Sequence, residues 1–166
     1  MSKTAFVLSG GGAKGSFQAG VVYQLLEQGI TPDVVYGTSV GAINAAGMSY
    51  LSKEEFLKMW LNIKGDHEVI WPAGWKKYLC WPKVFWTGGF YSLAPLRKSL
   101  GAILKDRTPS YEAVSCYVDL PTGAAVFCSN KQYSKEVHLE SVLASAAIPM
   151  LMEDQSYKVD GGIRIS

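Results

Sequence analysis

The chain has 166 residues and a net charge of +2, with 48% hydrophobic and 18% charged residues. This length and composition predict a single globular domain over residues 1–166 and exclude a disordered chain. The small net charge gives no indication of nucleic-acid binding, and no apolar stretch approaches the roughly 18 residues that a membrane span requires.

The N-terminal segment predicts a strand followed by a helix. Residues 4–9 form a short apolar run that ends in glycines, which is typical of a buried strand. Residues 16–28 then predict a helix that Gly29 ends. Four apolar residues recur at helical spacing in this segment and predict its buried face: Phe17, Val21, Leu25 and Leu26.

The next segment repeats the alternation of strand and helix. Residues 33–36 predict a second strand, and residues 40–51 predict a helix whose small residues allow close packing against a sheet. Ser52 is a suitable N-cap for a further helix that extends to about residue 63, and Glu55 completes a capping box.

The C-terminal half continues in the same way. Residues 93–104 and 139–147 predict helices, residues 115–119 and 124–128 predict a hairpin, and residues 157–159 predict a last strand. Strands that alternate with helices indicate an α/β fold, a three-layer sandwich with a mostly parallel central sheet.

A G-x-S-x-G motif directly follows the second predicted strand. It spans residues 37–41, and we call it the nucleophile elbow because this pattern places a serine on a sharp turn between a strand and a helix. Gly37 and Gly41 tolerate the strained turn and the close approach of strand and helix. Ser39 is therefore the candidate nucleophile, and the helix N-terminus behind it favours developing negative charge.

A second glycine-rich turn precedes the elbow. It reads Gly-Gly-Gly-Ala-Lys-Gly over residues 10–15, and we call it the glycine loop. The backbone N–H groups of Gly10, Gly11 and Gly12 are candidate donors to an oxyanion. An Asp-Gly-Gly follows the last predicted strand, and its Asp160 is a candidate base for Ser39.

These motifs, in this order, resemble the patatin-like acyl hydrolases, a family of serine lipases and phospholipases. The segments at residues 144–149 and 90–96 also resemble family segments, with Phe90 where the family has leucine. The resemblance implies a Ser39–Asp160 dyad without histidine, an oxyanion hole in the glycine loop, a lipid ester or phospholipid substrate, and no cofactor or metal. It also implies supporting roles for Lys14, Gly15, Gly37, Gly41, Gly161 and Gly162.

Other polar residues predict structural roles. His67 and His138 lie outside the glycine-marked turns, and no histidine follows Asp160 as the α/β-hydrolase order requires, so we expect both to be surface or partly buried structural residues. Asp119 precedes a turn with Pro121 and is interpreted as a turn-forming residue.

Two alternatives of a different class stay open. The glycine loop also reads G-x-G-x-x-G between a strand and a helix, which is the fingerprint of a dinucleotide-binding domain, although the second strand does not end in the acidic residue that such a domain uses. Lys14 precedes the last glycine, so the loop is not a P-loop. The other alternative is a lipid-binding module without turnover.

Residues 65–90 differ in composition from the rest. They predict an insert or lid that either contacts membranes peripherally, covers the core, or forms an oligomer interface, and they contain Trp71, Trp75, Trp81 and Trp86. Family domains usually continue beyond the Asp-Gly-Gly with a helix and a strand, so this sequence is either a minimal version or a fragment. If it is minimal, we expect a partner subunit to cover an open sheet edge.

Cysteine content and the N-terminal segment bear on the compartment. Cys80, Cys116 and Cys128 fit no metal spacing, and their odd number favours a reducing environment. The apolar run before Gly10 is too short for a signal peptide. We therefore expect a cytoplasmic protein that acts at or near membranes.

Overall fold

The computed structural model describes residues 3–63, 71–72, 91–148 and 158–162. His67, Cys80 and three of the four insert tryptophans lie outside the described residues. The described elements, in chain order, are β1 (Ala5–Leu8), a 3-10 turn (Gly12–Lys14), α1 (Gly15–Glu27), β2 (Val34–Thr38), α2 (Val40–Tyr50), α3 (Lys53–Leu61), β3 (Trp71–Pro72), β4 (Tyr91–Ser92), α4 (Ala94–Lys105), β5 (Glu112–Asp119), β6 (Ala124–Ser129), α5 (Lys135–Ala146) and β7 (Lys158–Asp160).

The main sheet has the strand order β1-β2-β5-β6, and β7 also pairs with β5. The first three strands are parallel, whereas β6 and β7 are antiparallel to β5. β3 and β4 form a separate two-stranded ladder. The predicted α/β fold with a central sheet is confirmed. The described part of this sheet is mixed, with two parallel and two antiparallel pairings, and the predicted hairpin is the β5–β6 pair.

Two strand ends meet beside β5. β2 pairs with the first part of β5, as far as Thr38 opposite Cys116. β7 runs in the opposite direction along the last part of β5, and its Asp160 lies opposite Tyr117. Because Cys116 and Tyr117 are consecutive, the C-terminal ends of β2 and β7 face each other in the plane of the sheet.

The helix α2 forms the centre of the core, and all eleven of its residues are buried. One side of α2 packs Ala42, Ile43 and Ala46 against α4 and α5. The other side packs Ala45 and Met48 with apolar residues of α1, α3, β2 and β5. The small residues of α2 let several elements approach it closely, as the sequence predicts.

The N-terminal strand and helix differ from their prediction. β1 is not buried: it pairs with β2 alone among the described strands, and Val7 is 77% exposed. α1 also turns a different face inward, because Phe17 is 76% exposed while Ala19 and Val22 are buried. Ala19 and Val22 belong to the core cluster that α1 shares with α2 and α3, and Leu26 of the predicted face packs against the same cluster while partly buried. The prediction was therefore wrong for Phe17 and correct for Leu26.

The start of α5 also differs from its prediction. The helix begins at Lys135 rather than at residue 139, because Ser134 caps it by accepting a hydrogen bond from the N–H of Val137. Within the described ranges, no helix combines the length and the apolar character needed to cross a membrane.

Candidate active site

The nucleophile elbow holds Ser39 in a strained backbone conformation. Its φ of 57° and ψ of −128° make it the one non-glycine residue with positive φ in the described part of the chain. α2 begins immediately after it, and the carbonyl of Ser39 accepts the N–H of Ala42 at 2.9 Å. Such strain at an exposed turn is characteristic of functional residues, and Ser39 is only partly buried.

The two elbow glycines are required by contact with backbone atoms. A Cβ on Gly37 would lie 2.2 Å from the carbonyl oxygen of Gly41, and a Cβ on Gly41 would lie 2.1 Å from the carbonyl oxygen of Leu8. Neither obstacle is a flexible side chain. The elbow is therefore packed directly against β1 as well as against its own helix.

Asp160 lies at the end of β7 and is 8% exposed. Its carboxylate Oδ1 accepts the N–H of Gly162 at 2.8 Å, and its own N–H donates to the carbonyl of Ala147 at 2.9 Å. The negative charge of Asp160 adds to burial in raising the pKa of the Cys116 thiol. Asp160 is therefore buried and held by one hydrogen bond to its carboxylate and one from its backbone N–H.

Gly161 links the aspartate to the elbow. A Cβ at this position would lie 2.6 Å from the carbonyl oxygen of Cys116 and 3.2 Å from Cγ2 of Thr38. The residue after Asp160 thus touches the residue before Ser39. Together with the register along β5, this contact brings the two candidate dyad residues to the same point of the sheet.

The glycine loop lies beside Ser39. A Cβ on Gly10 would be 3.2 Å from Cβ and 3.8 Å from Oγ of Ser39. Gly12 has a φ of 55° and nothing within 4 Å of its Cβ position. Residues 10–14, including Lys14, are exposed. The front of the loop is therefore open next to the candidate nucleophile.

A buried asparagine that the motifs do not mark connects the loop to α2. Asn44 is fully buried, and its Nδ2 donates to the carbonyl of Gly15 at 2.9 Å and to Oε1 of Gln18 at 3.1 Å. Its Oδ1 accepts the indole N–H of Trp60 at 2.8 Å. The one signal in the sequence is a lone amide in a helix of small and apolar residues.

A buried serine on α5 also contacts the site. Ser145 Oγ accepts the N–H of Ser39 at 2.9 Å and donates to the carbonyl of Cys116. Ser145 was part of a family-like segment in the sequence, but the pattern did not indicate this contact.

The side chains of the remaining polar residues have other surroundings or partners than the dyad side chains. His138 is completely buried, contrary to the expectation of a surface or partly buried residue, because α5 places it against β5, and burial lowers its pKa to about 4. Asp119 Oδ2 accepts a hydrogen bond from Thr122 Oγ1 in the hairpin turn. Cys116 and Cys128 are free thiols in the core. None of these residues contacts Ser39 through a hydrogen bond recorded among the described residues.

A cavity of about 290 Å³ opens between β6 and α5. Its lining includes Tyr117, Val137 and Lys158, and the Lys158 ammonium lies 5.3 Å from the centre of the Tyr117 ring. Neither Ser39 nor Asp160 lines this cavity. The cavity is therefore separate from the candidate active site.

Comparisons with known proteins identify the family. The family model for patatin-like phospholipase matches residues 6–166. A patatin-like phospholipase domain-containing protein of Pyricularia oryzae is 30% identical over 183 residues, covering 97% of this chain and 22% of that protein. One from Neurospora crassa is 29% identical over 170 residues, covering 90% of this chain and 18% of that protein.

Two further similarities are more limited, the first in the length of sequence that it covers and the second in its sequence identity. A triacylglycerol lipase of Schizosaccharomyces pombe is 46% identical over 52 residues, which are 31% of this chain and 11% of the lipase. The crystal structure of VipD from Legionella pneumophila superposes with a TM-score of 0.57 at 16% identity, covering 98% of this chain and 46% of VipD, which supports the fold alone. The chain spans about a fifth of the length of the first two relatives.

Proposed function

Because the chain belongs to the patatin-like phospholipase family, we propose that it hydrolyses lipid esters with Ser39 as nucleophile and Asp160 as its base. The observation that carries the proposal is the meeting of two strand ends beside β5. Thr38 pairs with Cys116 and Asp160 pairs with Tyr117, so the backbone of the residue after Thr38 and the backbone of Asp160 lie at the same point of β5.

The chemistry follows from these two side chains. Ser39 Oγ attacks the ester carbonyl carbon while the Asp160 carboxylate accepts the hydroxyl proton. The tetrahedral intermediate expels the alcohol, which takes that proton from Asp160, and an acyl ester remains on Ser39. Water then gives its proton to Asp160 and attacks the acyl carbon. The fatty acid leaves, and the proton returns to Ser39.

The oxyanion of each tetrahedral intermediate needs donors close to Ser39. The glycine loop supports this role, since Gly10 lies against Ser39 and the residues after it are exposed. In this proposal the backbone N–H groups of Gly10, Gly11 and Gly12 supply the donors, and the N-terminus of α2 adds favourable potential. Lys14 follows on the same open side, where it helps to hold an anionic lipid.

Membrane contact and the substrate class belong to the proposal as well. The family relationship and the lipase similarity support a lipid ester, either a phospholipid or a neutral lipid. Contact with a membrane through the insert tryptophans stays a prediction, because most of that segment lies outside the described residues.

The test is hydrolysis by the purified chain. A soluble short p-nitrophenyl ester and mixed phospholipid vesicles are compared for the wild type, Ser39→Ala and Asp160→Asn. Both variants are expected to lose at least about 10³-fold in kcat, since the dyad acts as a unit. A fluorophosphonate probe is expected to label the wild type at Ser39 and to leave Ser39→Ala unlabelled.

Asp119→Asn is the matched control for the aspartate. Asp119 is also a carboxylate at the end of a strand, but its Oδ2 is engaged by Thr122 in the hairpin turn. It is expected to retain full activity. Activity that survives in Ser39→Ala would contradict the proposal, and a folded wild type that binds vesicles without turnover would favour the lipid-binding module.

A further inference from the structure

Both candidate dyad residues are tied by their backbone to the same helix end. The C-terminal turn of α5 supplies Ser145, whose Oγ accepts the N–H of Ser39 at 2.9 Å. Two residues later, the carbonyl of Ala147 accepts the N–H of Asp160 at 2.9 Å. Two residues of one helix end, Ser145 and Ala147, therefore contact the nucleophile and the base.

The Ser145 hydroxyl is fully used in this arrangement. It donates to the carbonyl of Cys116 while it accepts from Ser39, and its side chain is 0% exposed. A hydroxyl has one donor, so its orientation is determined by the Cys116 carbonyl, and one of its two lone pairs accepts the Ser39 N–H. The contact is thus a bridge from β5 through α5 to the elbow.

The backbone of Cys116 is part of the same set of contacts, which we call the frame. It pairs with Thr38 in the sheet, accepts the Ser145 hydroxyl and packs against Gly161. Thr38, which precedes the nucleophile, and Gly161, which follows the base, therefore both lie next to the backbone of Cys116. Strain such as that of Ser39 persists only when the surroundings over-determine the conformation, and this frame provides such surroundings.

We infer that Ser145 is a positioning residue that sets the geometry between Ser39 and Asp160, an inference that rests on the proposed function. It does not touch the reacting atoms and acts through the backbone of Ser39. A displacement of about 1 Å at a catalytic group can cost about 10²-fold in rate. Loss of the Ser145 hydroxyl therefore lowers kcat and leaves KM for a soluble ester unchanged.

The experiment compares Ser145→Ala with Ser141→Ala. Ser141 lies one helical turn earlier on α5, is also buried, and its Oγ contacts Ser115 Oγ and the carbonyl of His138 instead of the elbow. Both variants lose a buried hydroxyl from the same helix. We expect Ser145→Ala to lose 10- to 100-fold in kcat, and Ser141→Ala to keep kcat within about twofold at a similar melting temperature.

A third variant guards against loss of folding. Ser145→Cys fills the position of the hydroxyl with a somewhat larger thiol that is a weaker donor and acceptor, so kcat is expected to fall between the wild type and Ser145→Ala. Equal kcat values for Ser145→Ala and the wild type would overturn the inference. An equal loss of kcat in Ser141→Ala and Ser145→Ala would overturn it too, because the effect would then be general destabilisation.

Hydrogen exchange of the Ser39 amide separates this inference from the proposed function. Ser145→Ala removes the acceptor of that amide, so its exchange is expected to accelerate at least tenfold, while Ser141→Ala leaves it unchanged. The exchange rate of the Ser39 amide can be measured even if the chain shows no hydrolysis. An unchanged Ser39 exchange rate in Ser145→Ala would overturn the inference whatever the activity.

Discussion

The nucleophile elbow and the glycine loop both use glycine, but the space around their glycines differs. In the elbow, a Cβ on Gly37 or Gly41 would lie 2.2 Å or 2.1 Å from a backbone oxygen. In the loop, the Cβ position of Gly12 has no neighbour within 4 Å, and its φ of 55° is what favours glycine. Glycine in the elbow therefore permits close packing, whereas glycine in the loop permits an unusual backbone shape beside open space.

The end of the glycine loop is packed as closely as the elbow. A Cβ on Gly15 would lie 2.2 Å from Cγ2 of Val40 and 2.9 Å from the Trp60 ring. The loop thus has an open front and a closely packed end. Substitutions in the elbow and at Gly15 therefore test the stability of the fold, whereas substitutions at the front of the loop test the catalytic reaction.

The largest effect is expected for Gly41→Ala. The new methyl group would meet the carbonyl oxygens of Leu8 and Ser9, and neither backbone segment can move without disturbing β1. We expect a loss of at least about 4 kcal/mol in the free energy of unfolding, measured by thermal and denaturant melts. A folded variant with an ordinary melt would show that the elbow is not closely packed.

The second effect concerns the support of the loop. Asn44→Ala would leave the indole N–H of Trp60 and the carbonyl of Gly15 without their partner, at a cost of about 2–4 kcal/mol in stability. We also expect kcat to fall, because the loop loses its anchor to α2. Both are measured by melts and by ester hydrolysis at a temperature where the variant is folded.

Asn130→Ala is the control for Asn44. Asn130 likewise bridges two backbone groups, the N–H of Ala113 and the carbonyl of Tyr111, but it lies away from both glycine turns. It should lose stability without losing kcat. If both asparagine variants lose kcat in proportion to stability, Asn44 has no specific role in the loop.

Acid is expected to destabilise the elbow, because α5 contacts the elbow through Ser145 and also carries the buried His138. Burial lowers the pKa of His138 on α5 from 6.5 to about 4, so the unfolded chain binds a proton more readily than the folded chain. The stability from keeping His138 neutral is complete above pH 6.5 and is lost as the pH falls towards 4, by about 3 kcal/mol in total.

Denaturant melts from pH 7 to pH 4 measure this dependence, and hydrogen exchange locates it. His138→Leu is expected to flatten the pH dependence in this window. In the wild type, amides of α5 and the elbow should lose protection before those of α1. An unchanged slope in His138→Leu would assign the acid sensitivity to other groups.

The smallest effect on stability is expected for Gly12→Ala. The positive φ costs about 1 kcal/mol with alanine, and no atom obstructs the methyl group. Because Gly12 is a proposed oxyanion donor at the open front of the loop, a strained backbone there is expected to lower kcat by roughly 10-fold or more through a disturbed oxyanion site. Melts and ester hydrolysis measure the two effects separately.

Gly29→Ala provides the matched control. Gly29 has a φ of 76° and nothing within 4 Å of its Cβ position, but it lies beyond the far end of α1. It should lose the same stability as Gly12→Ala and keep full activity. Equal activity in the two variants would mean that the front of the loop does not take part in the reaction.

Sequence patterns predicted the elements well where the signal is local. The capping box of Ser52 and Glu55 is present, and the hairpin turns where Pro121 and Gly123 predict it. The buried face of α1 was predicted correctly only in part, because the pattern assumes that large apolar residues turn inward. Leu26 does pack against the core, but Ala19 lies inside while Phe17 lies outside.

The candidate site was predictable in part for the same reason. Ser39 and the glycines around it are neighbours in the sequence, and a sharp turn requires glycine at set distances from the serine. Asn44 and Ser145 gave no comparable signal. A buried amide or hydroxyl acquires its role from whichever segment packs against it, and the Ser145–Ser39 contact joins residues 106 positions apart.

By itself, the sequence determined the α/β alternation, the two glycine turns and the position of Asp160 at the end of a strand, because these depend on backbone preferences of a few consecutive residues. Only the tertiary structure decided that β7 lies in line with β2 along β5 and that one end of α5 contacts both Ser39 and Asp160. Those relations depend on the register of paired strands and on packing between distant segments, which local sequence does not specify.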